Sequence, residues 1–409
     1  KATPNRPSSA DRSKTRMKIN KIAHNVIVLG SHTTALYVVR CLGRYGAKVV
    51  VVDTHLRGEA RFSRYCNAFV KIERFATDEL LVAIDGIAKT LGPCAIFPSN
   101  DEAAKALSQG IDSLPEKHIA IVAPWQTTLK AYDKRLTYDL AQASNVPMPK
   151  THYVDTNSDI DLVATQCEFP VLVKPTTTAE FRSTFGTKAI GAANATELRS
   201  KFERITKKIQ PSDLLIQEFV PGSNKHFWHY GAVFNGQEAL VEYVISRKRQ
   251  YPIDFGTASH AEIKNKPAVV ELGARILAAM DFVGPAEVQF KYDRRNDTYQ
   301  LLDVNPRFWK SCAIAELLNV NMPLLAYQLF TGIPVSQANV STEEKLVWFD
   351  VLPDIAVAVA DIVAGRTNLR ELRESYKGKR IDATFARDDW LPGVVLLGLA
   401  PYLFVKGAG

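Results

Sequence analysis

The stretch AEVQFKYDRRNDTYQLLDVNPRFWKS, residues 286–311, decides how the rest of the chain is read. Two strand-like runs flank the turn residues Arg294 to Asp297, the pattern of a β-hairpin. Leu301 and Leu302 belong inside a strand, and Asp303, Asn305 and Arg307 then follow at every second position. Side chains alternate faces along a strand, so these three start out on one face. On the partner strand Glu287, Gln289 and Lys291 also share a face, and pairing around the turn brings Gln289 towards Asp303. Carboxylate and amide oxygens are hard ligands of the kind Mg²⁺ accepts. A cluster with one definite carboxylate, Asp303, holds a bare ion weakly and needs one that arrives with phosphate. The Arg307 fork suits the oxygens of the same anion. By itself, D-x-N-x-R also fits a hairpin whose polar end is merely solvated, so the remaining chain must decide.

The chain has 409 residues, enough for two or three domains, and its 46% hydrophobic and 23% charged residues suit a globular protein. Its net charge of +8 is concentrated at one end: residues 1–21 hold seven Lys or Arg against one acid, six of the eight charges. The body is therefore nearly neutral, which argues against nucleic acid as a partner. The leader is polar, Pro/Ser-rich and without apolar periodicity, and is expected to be disordered. It lacks the apolar core of a secretory signal. Five dispersed cysteines without C-x-x-C spacing point to a reducing, cytoplasmic setting and to no zinc ribbon.

NVIVLG (25–30), KVVVVD (48–53), AIFPS (95–99) and IAIVAP (119–124) read as buried strands separated by helical stretches. Residues 22–125 are thus expected to form a Rossmann-like, doubly wound α/β domain. VLGSHTTA with Asp53 has only the first glycine of a dinucleotide fingerprint, so a nicotinamide enzyme is a poor match. From residue 126 to 335 strands dominate, in an α+β pattern, with a helix after Asp133 and a hairpin at Asn235-Gly236. Residues 336–409 form a C-terminal extension ending in the uncharged run WLPGVVLLGLAPYLFV (390–405). That run is too short to span a bilayer. It is expected to pack on the body, with a membrane-surface contact as the alternative.

The order of these elements and the final hairpin resemble the ATP-grasp superfamily, especially its carbamoyl-phosphate-synthetase-like carboxylate–amine ligases, the ATP-dependent carboligase type. The resemblance covers residues 25 to about 332. It rests most on the 14-residue step from Gln289 to Asp303, with Asn305 two further on in VNPR. It implies an ATP-grasp fold of two α+β lobes, a lid at about 150–220 and a central lobe at about 221–335. It implies that Gln289, Asp303 and Asn305 hold Mg²⁺, or Mn²⁺ in its place. It also implies that Lys134, Lys174 and Lys188 reach ATP phosphates, and that Glu218, Phe219 and Val220 form the adenine hinge with Asn224 or Lys225 near the ribose. Lys174 and Arg307 are the residues expected to act on the transferring phosphoryl group. TTTAEFRSTFG (176–186) stands where the family has a glycine-rich phosphate loop, with only Gly186.

The implied activity is an ATP-dependent, ADP-forming carbon–nitrogen ligase passing through an acyl phosphate. Its partners would be a small-molecule carboxylate and an amine, with a homodimer left open. The alternatives are a bicarbonate-activating carboxylase or carbamoyl-phosphate-type enzyme, and a non-catalytic ATP-binding or membrane-associated protein. Within ISRKRQYPIDFGTASHAE (245–262), Arg247 or Arg249 is expected to clamp a substrate carboxylate, with FGTAS as a mobile flap and His260 as a loop histidine.

Overall fold

The computed structural model describes residues 22–253, 256–338, 340 and 343–406, so the basic leader lies outside the described residues. Five parallel strands come first: β1 (Asn25–Leu29), β2 (Val49–Asp53), β3 (Cys66–Lys71), β4 (Cys94–Pro98) and β5 (Ile119–Ala120), in the order β3-β2-β1-β4-β5. Their continuous apolar runs arise because helices cover both faces. Val26 and Val28 join a cluster with Leu36 and Val39 of helix Thr33–Gly43, whereas Ile27 and Leu29 join Leu80, Ile84 and Leu107 on the other side. β3 escaped the sequence reading because it is a half-exposed edge strand without a clean apolar run. The strand order reverses between β1 and β4, which opens a crevice at their carboxyl ends. The Asp53 carboxylate is taken by Ser31 Oγ and by the Thr54 N–H, so it is not free for a ribose.

A smaller antiparallel sheet follows: β6 (Thr151–Tyr153), β7 (Val171–Pro175), β8 (Ile190–Ala192) and β9 (Leu214–Glu218), ordered β6-β9-β7-β8. Val171, Val173, Leu214 and Ile216 pack on Ile160, Leu198 and Phe202 of two helices. The alternate residues Leu172, Lys174 and Gln217 therefore face the other way, away from this core.

Seven strands form the central sheet: β10 (Phe227–Asn235), β11 (Ala239–Tyr251), β12 (Thr257–Ile263), β13 (Val283–Asp293), β14 (Thr298–Asn305), β15 (Leu346–Phe349) and β16 (Lys379–Asp382). Their order is β14-β13-β10-β11-β12-β15-β16. The hairpin at Asn235 forms as expected, with Asn235 Oδ1 accepting from the Gln237 and Glu238 N–H groups. Two expectations for residues 245–262 are corrected. β11 runs on to Tyr251 and pairs with β12, so Thr257, Ala258 and Ser259 are strand residues rather than part of a flap; Asp254 and Phe255 lie outside the described residues. His260 is a fully buried strand residue, not a loop histidine. Residues 346–349 and 379–382 of the expected extension add two strands to this sheet.

The apolar tail forms helix Leu391–Lys406. Leu396 is buried, while Trp390, Val394 and Leu397 are exposed, so only part of the run packs on the body. No helix among the described residues is long and apolar enough to cross a membrane, and the membrane-surface expectation gains no supporting observation. What holds this end in place is a buried charge cluster. Arg40, in helix Thr33–Gly43, donates to Asp389 Oδ2 (2.8 Å), Asp389 O (2.7 Å) and Thr384 O (2.7 Å). Ser63 Oγ and the Arg64 N–H complete the shell of Asp389. Removing one partner of such a pair leaves the other charge buried and uncompensated. Asp389→Ala is therefore expected to cost about 3–5 kcal/mol, read as a lowered denaturant midpoint. Asp389→Asn, which keeps one acceptor, should cost less.

Candidate active site

The central sheet has two chemically distinct faces. Val288, Phe290, Leu301 and Val304 point into a core with Val269, Ile276 and Leu277 of helix Pro267–Ala279. The intervening residues point the other way. The observed register places Gln289 opposite Asp303 and Glu287 opposite Asn305. On the other side β10 brings His229 beside Gln289, Phe227 beside Lys291 and Gly231 beside Glu287. β11 carries Arg247, whose guanidinium carbon lies 4.4 Å from the centre of the Phe227 ring. Glycine is required at 231, because a Cβ there would sit 2.2 Å from the Trp309 ring.

On this polar face the expected metal ligands come together around a residue that the sequence reading placed on the face but gave no role. Glu287 is buried and lies at the centre of a hydrogen-bonded group. Its Oε1 accepts from His229 Nδ1 (2.8 Å), and its Oε2 accepts from Gln289 Nε2 (2.8 Å) and Asn305 Nδ2 (2.9 Å). The site therefore holds two carboxylates, Glu287 and Asp303, which corrects the expectation of one. The alternation Glu287-x-Gln289 was the readable signal; nothing in the sequence pointed to His229. Burial works to raise the Glu287 carboxyl, but His229 and the hydrogen bonds from His229 and Gln289 outweigh it and hold it well below its ordinary value. Burial pushes His229 down, with Glu287 opposing and Arg247 assisting.

Four cations surround Asp303. Lys134 Nζ lies 3.2 Å from Asp303 Oδ1 and 3.2 Å from Thr178 Oγ1. Lys134 is the first residue of a helix whose N-cap, Asp133, accepts from the Arg135 and Leu136 N–H groups. Lys174 projects from β7 to Gln217 Oε1 (2.6 Å). Burial, reinforced by the Lys134 charge, lowers its pKa to about 8. Lys188 is also lowered by burial, against the opposing pull of Asp303 and Asp101. Arg307 grips Asp101, in helix Asp101–Gln109 at the crevice of the parallel sheet, with two bonds of 2.7 and 2.9 Å. Its guanidinium was expected to face the nucleotide anion; in the structure a carboxylate of the N-terminal sheet's crevice already occupies that fork. The pairing of Asp101 with Arg307 was not legible in the sequence, because the two residues lie 206 positions apart.

At the hinge, the N–H groups of Glu218 and Phe219 are taken by Lys150 O and Pro170 O. The Glu218 side chain turns to the Glu168 N–H and to Lys150. Among the described residues the Val220 N–H has no partner. A recess of about 330 Å³ adjoins this strand, lined by Pro170, Leu172, Gly191, Ala193 and Phe219. Lys291 extends between the Phe219 and Phe227 rings, 4.7 and 4.9 Å from their centres, and burial with the nearby Arg247 lowers it to about 8. Asn224 and Lys225 form a short turn leading into β10.

Three expectations fail. TTTAEFRSTFG is not a phosphate loop: Thr178–Phe185 is a helix, closed by Gly186 in the left-handed region at φ +70°. Arg249 is not a substrate clamp, because Asp354 takes its Nε and Nη2 at 2.7 Å each, buried beneath helix Val351–Val363. Arg247 is buried too, bonded to His229 Nε2, Gln250 Oε1 and Gly256 O, so it forms part of the cleft floor and is not an open clamp.

The oxygen donors of Asp303, Gln289 and Asn305 suit a hard divalent cation. Among the described residues no three acids, histidines or cysteines converge on one point. Gln289 Oε1 has no hydrogen-bond donor among the described residues and remains free to ligate.

Comparison with known proteins agrees with this geometry. A family model described as "ATP-grasp in the biosynthetic pathway with Ter operon" matches residues 232–350, which contain the hairpin. The chain is 22% identical over 314 residues to D-aspartate ligase of Enterococcus faecium (strain Aus0004), covering 72% of this chain and 74% of that protein. Its fold is shared with N5-carboxyaminoimidazole synthetase from Staphylococcus aureus complexed with ADP (TM-score 0.64, 14% identity, 82% and 84% of the two chains). It is shared likewise with L-amino acid ligase from Bacillus licheniformis (TM-score 0.60, 12% identity, 80% and 80%). The expected resemblance to the ATP-grasp superfamily and the mixed α/β fold are borne out: the hairpin region matches an ATP-grasp family model, and the chain is similar in sequence and in fold to ATP-grasp proteins.

Proposed function

We propose that the protein is a carboxylate–amine ligase that uses ATP to join a small carboxylic acid to an amine as an amide. The observation that carries this reading is the convergence of Asp303, Gln289 and Asn305 with Lys134, Lys174 and Lys188 on one cleft. A set of oxygen ligands opposed by several cations suits phosphoryl transfer, which needs charge neutralisation and alignment more than acid–base groups. The D-aspartate ligase and L-amino acid ligase relatives support the amide-forming class.

In the first step a carboxylate oxygen of the acid attacks the γ-phosphorus of ATP, and the bond to the bridging oxygen breaks. An acyl phosphate and ADP result. In the second step the amine attacks the acyl carbon, phosphate leaves, and the amine gives up a proton to solvent or to the departing phosphate. Asp303, Gln289 and Asn305 would hold Mg²⁺, which would supply charge neutralisation to the nucleotide phosphates when bound. Lys134 exchanges Asp303 for a phosphate oxygen, and Lys174 exchanges Gln217 for another. Adenine would occupy the recess beside Phe219, reading the free Val220 N–H. Arg307 must turn part of its fork from Asp101 towards the acyl phosphate, which links the N-terminal sheet to the reacting centre.

The direct test is ADP and phosphate release across pairs of amino acids with Mg²⁺. Turnover that requires both an acid and an amine supports the ligase. Release driven by bicarbonate with no amine would replace it with a bicarbonate-activating enzyme, and no release with any acid would remove catalysis. Asp303→Ala should lower turnover about a hundredfold or more with an unchanged melting curve, and near-normal turnover would refute the metal assignment.

Metal-free ADP affinity should also depend on pH. Lys174 is lowered to about 8 in the free protein, and a bound phosphate favours its charged form. Affinity is thus full below pH 8 and declines as pH rises through it, by up to about tenfold per unit. Lys174→Arg, which stays charged, should flatten that part of the calorimetric profile.

A further inference from the structure

Glu287 is not needed as a ligand in the proposed reaction, yet it is buried at 5% exposure beneath the ligands and accepts three hydrogen bonds. The donors around it are determined by one another. Arg247 can only donate, and it reaches His229 Nε2 from Nε (3.2 Å) and Nη2 (3.0 Å). His229 Nε2 must therefore accept, so in the neutral ring the proton sits on Nδ1 and is donated to Glu287. Both Glu287 oxygens accept, Oε1 from His229 and Oε2 from Gln289 and Asn305. Gln289 and Asn305 must then turn their NH₂ groups towards it, and their carbonyl oxygens face the opposite way, into the cleft. Asn305 Oδ1 is met there by Arg307 Nη2 at 3.2 Å.

We propose that Arg247, His229 and Glu287 form a positioning chain that sets the amides of Gln289 and Asn305 oxygen-outward, so that they accept a hard divalent cation. An amide turned the other way would present N–H hydrogens to the ion and repel it. Glu287 is a positioning residue here, since both its oxygens are already engaged by donors. This inference rests on the reading of Gln289 and Asn305 as metal ligands, and assigns Glu287 and His229 a part in that same site.

The test uses Mn²⁺ as a probe, followed by electron paramagnetic resonance in the presence of ADP, together with calorimetry of ADP in EDTA. In Glu287→Gln the new carboxamide can donate as well as accept, and the fixed direction of the chain is lost. Mn²⁺ affinity in the ADP complex should fall at least tenfold, with metal-free ADP affinity within twofold of wild type. The double variant Glu287→Gln/Gln289→Glu restores a donor–acceptor pair, because the carboxamide introduced at position 287 can donate to a carboxylate at 289 whose second oxygen faces the cleft. It should recover most of the Mn²⁺ binding, and it keeps the question answerable where the single variant folds poorly.

Unchanged Mn²⁺ binding in Glu287→Gln overturns the chain, as does a parallel loss of ADP binding in EDTA, which would make Glu287 a fold determinant. A double variant no better than the single one also overturns it. If wild-type protein takes up no Mn²⁺ with ADP, the metal site itself falls and the inference with it; the other failures leave the ligase reading standing.

Discussion

A single geometric constraint governs the centre of this protein: the two-residue repeat of the β13–β14 hairpin and its neighbour β10. Every second residue enters the core against helix Pro267–Ala279, and that burial pins the register. A slip of one residue would put Val288, Phe290 and Val304 into water and turn the polar set into the core. Hydrophobic burial on one face thus locates Glu287, Gln289, His229, Asp303 and Asn305 on the other. The apolar half of the hairpin is the reason the polar half has a defined geometry.

On that polar face the organising element is a buried anion. A carboxylate taken from water is costly unless its lone pairs are satisfied. Glu287 is satisfied by three donors from three different strand positions, so it couples β10, β13 and β14 through side chains as well as through the ladder. The cations around Asp303 come from elsewhere: Lys134 from the helix that precedes the small sheet, Lys174 from that sheet and Arg307 from the loop after β14. Burial, reinforced by the neighbouring Lys134 charge, lowers Lys174, and cations held this close together are the electrostatic condition for holding a polyanion.

The N-terminal sheet and the C-terminal segment are tied to this centre by charges as well. Asp101 stands at the start of a helix in the crevice between β1 and β4, and its bond to Arg307 joins that crevice to the hairpin. Arg249 and Asp354 lock helix Val351–Val363 to β11, and Arg40 with Asp389 fastens the last segment to the first helix. Buried pairs of this kind contribute little to stability relative to apolar residues of the same shape, but they strongly disfavour arrangements that leave one partner alone.

The linear chain by itself determined the alternation that makes the hairpin, the parallel α/β character of residues 25–124, the cap at Asp133 and the turn at Asn235, since each depends on neighbours within a few residues. It also carried the Gln289–Asp303–Asn305 spacing, because a hairpin maps sequence separation directly onto proximity. Tertiary structure decided the rest. Arg247 and Arg249 read alike in sequence, yet one bonds His229 and the other Asp354, 105 residues away. Thr178–Phe185 became a helix where a phosphate loop was expected, and β15 joined the central sheet alongside β12, with β16 alongside β15. The partners of a buried charge are chosen by which elements pack around it, and that choice is made by distant burial, which local periodicity does not encode.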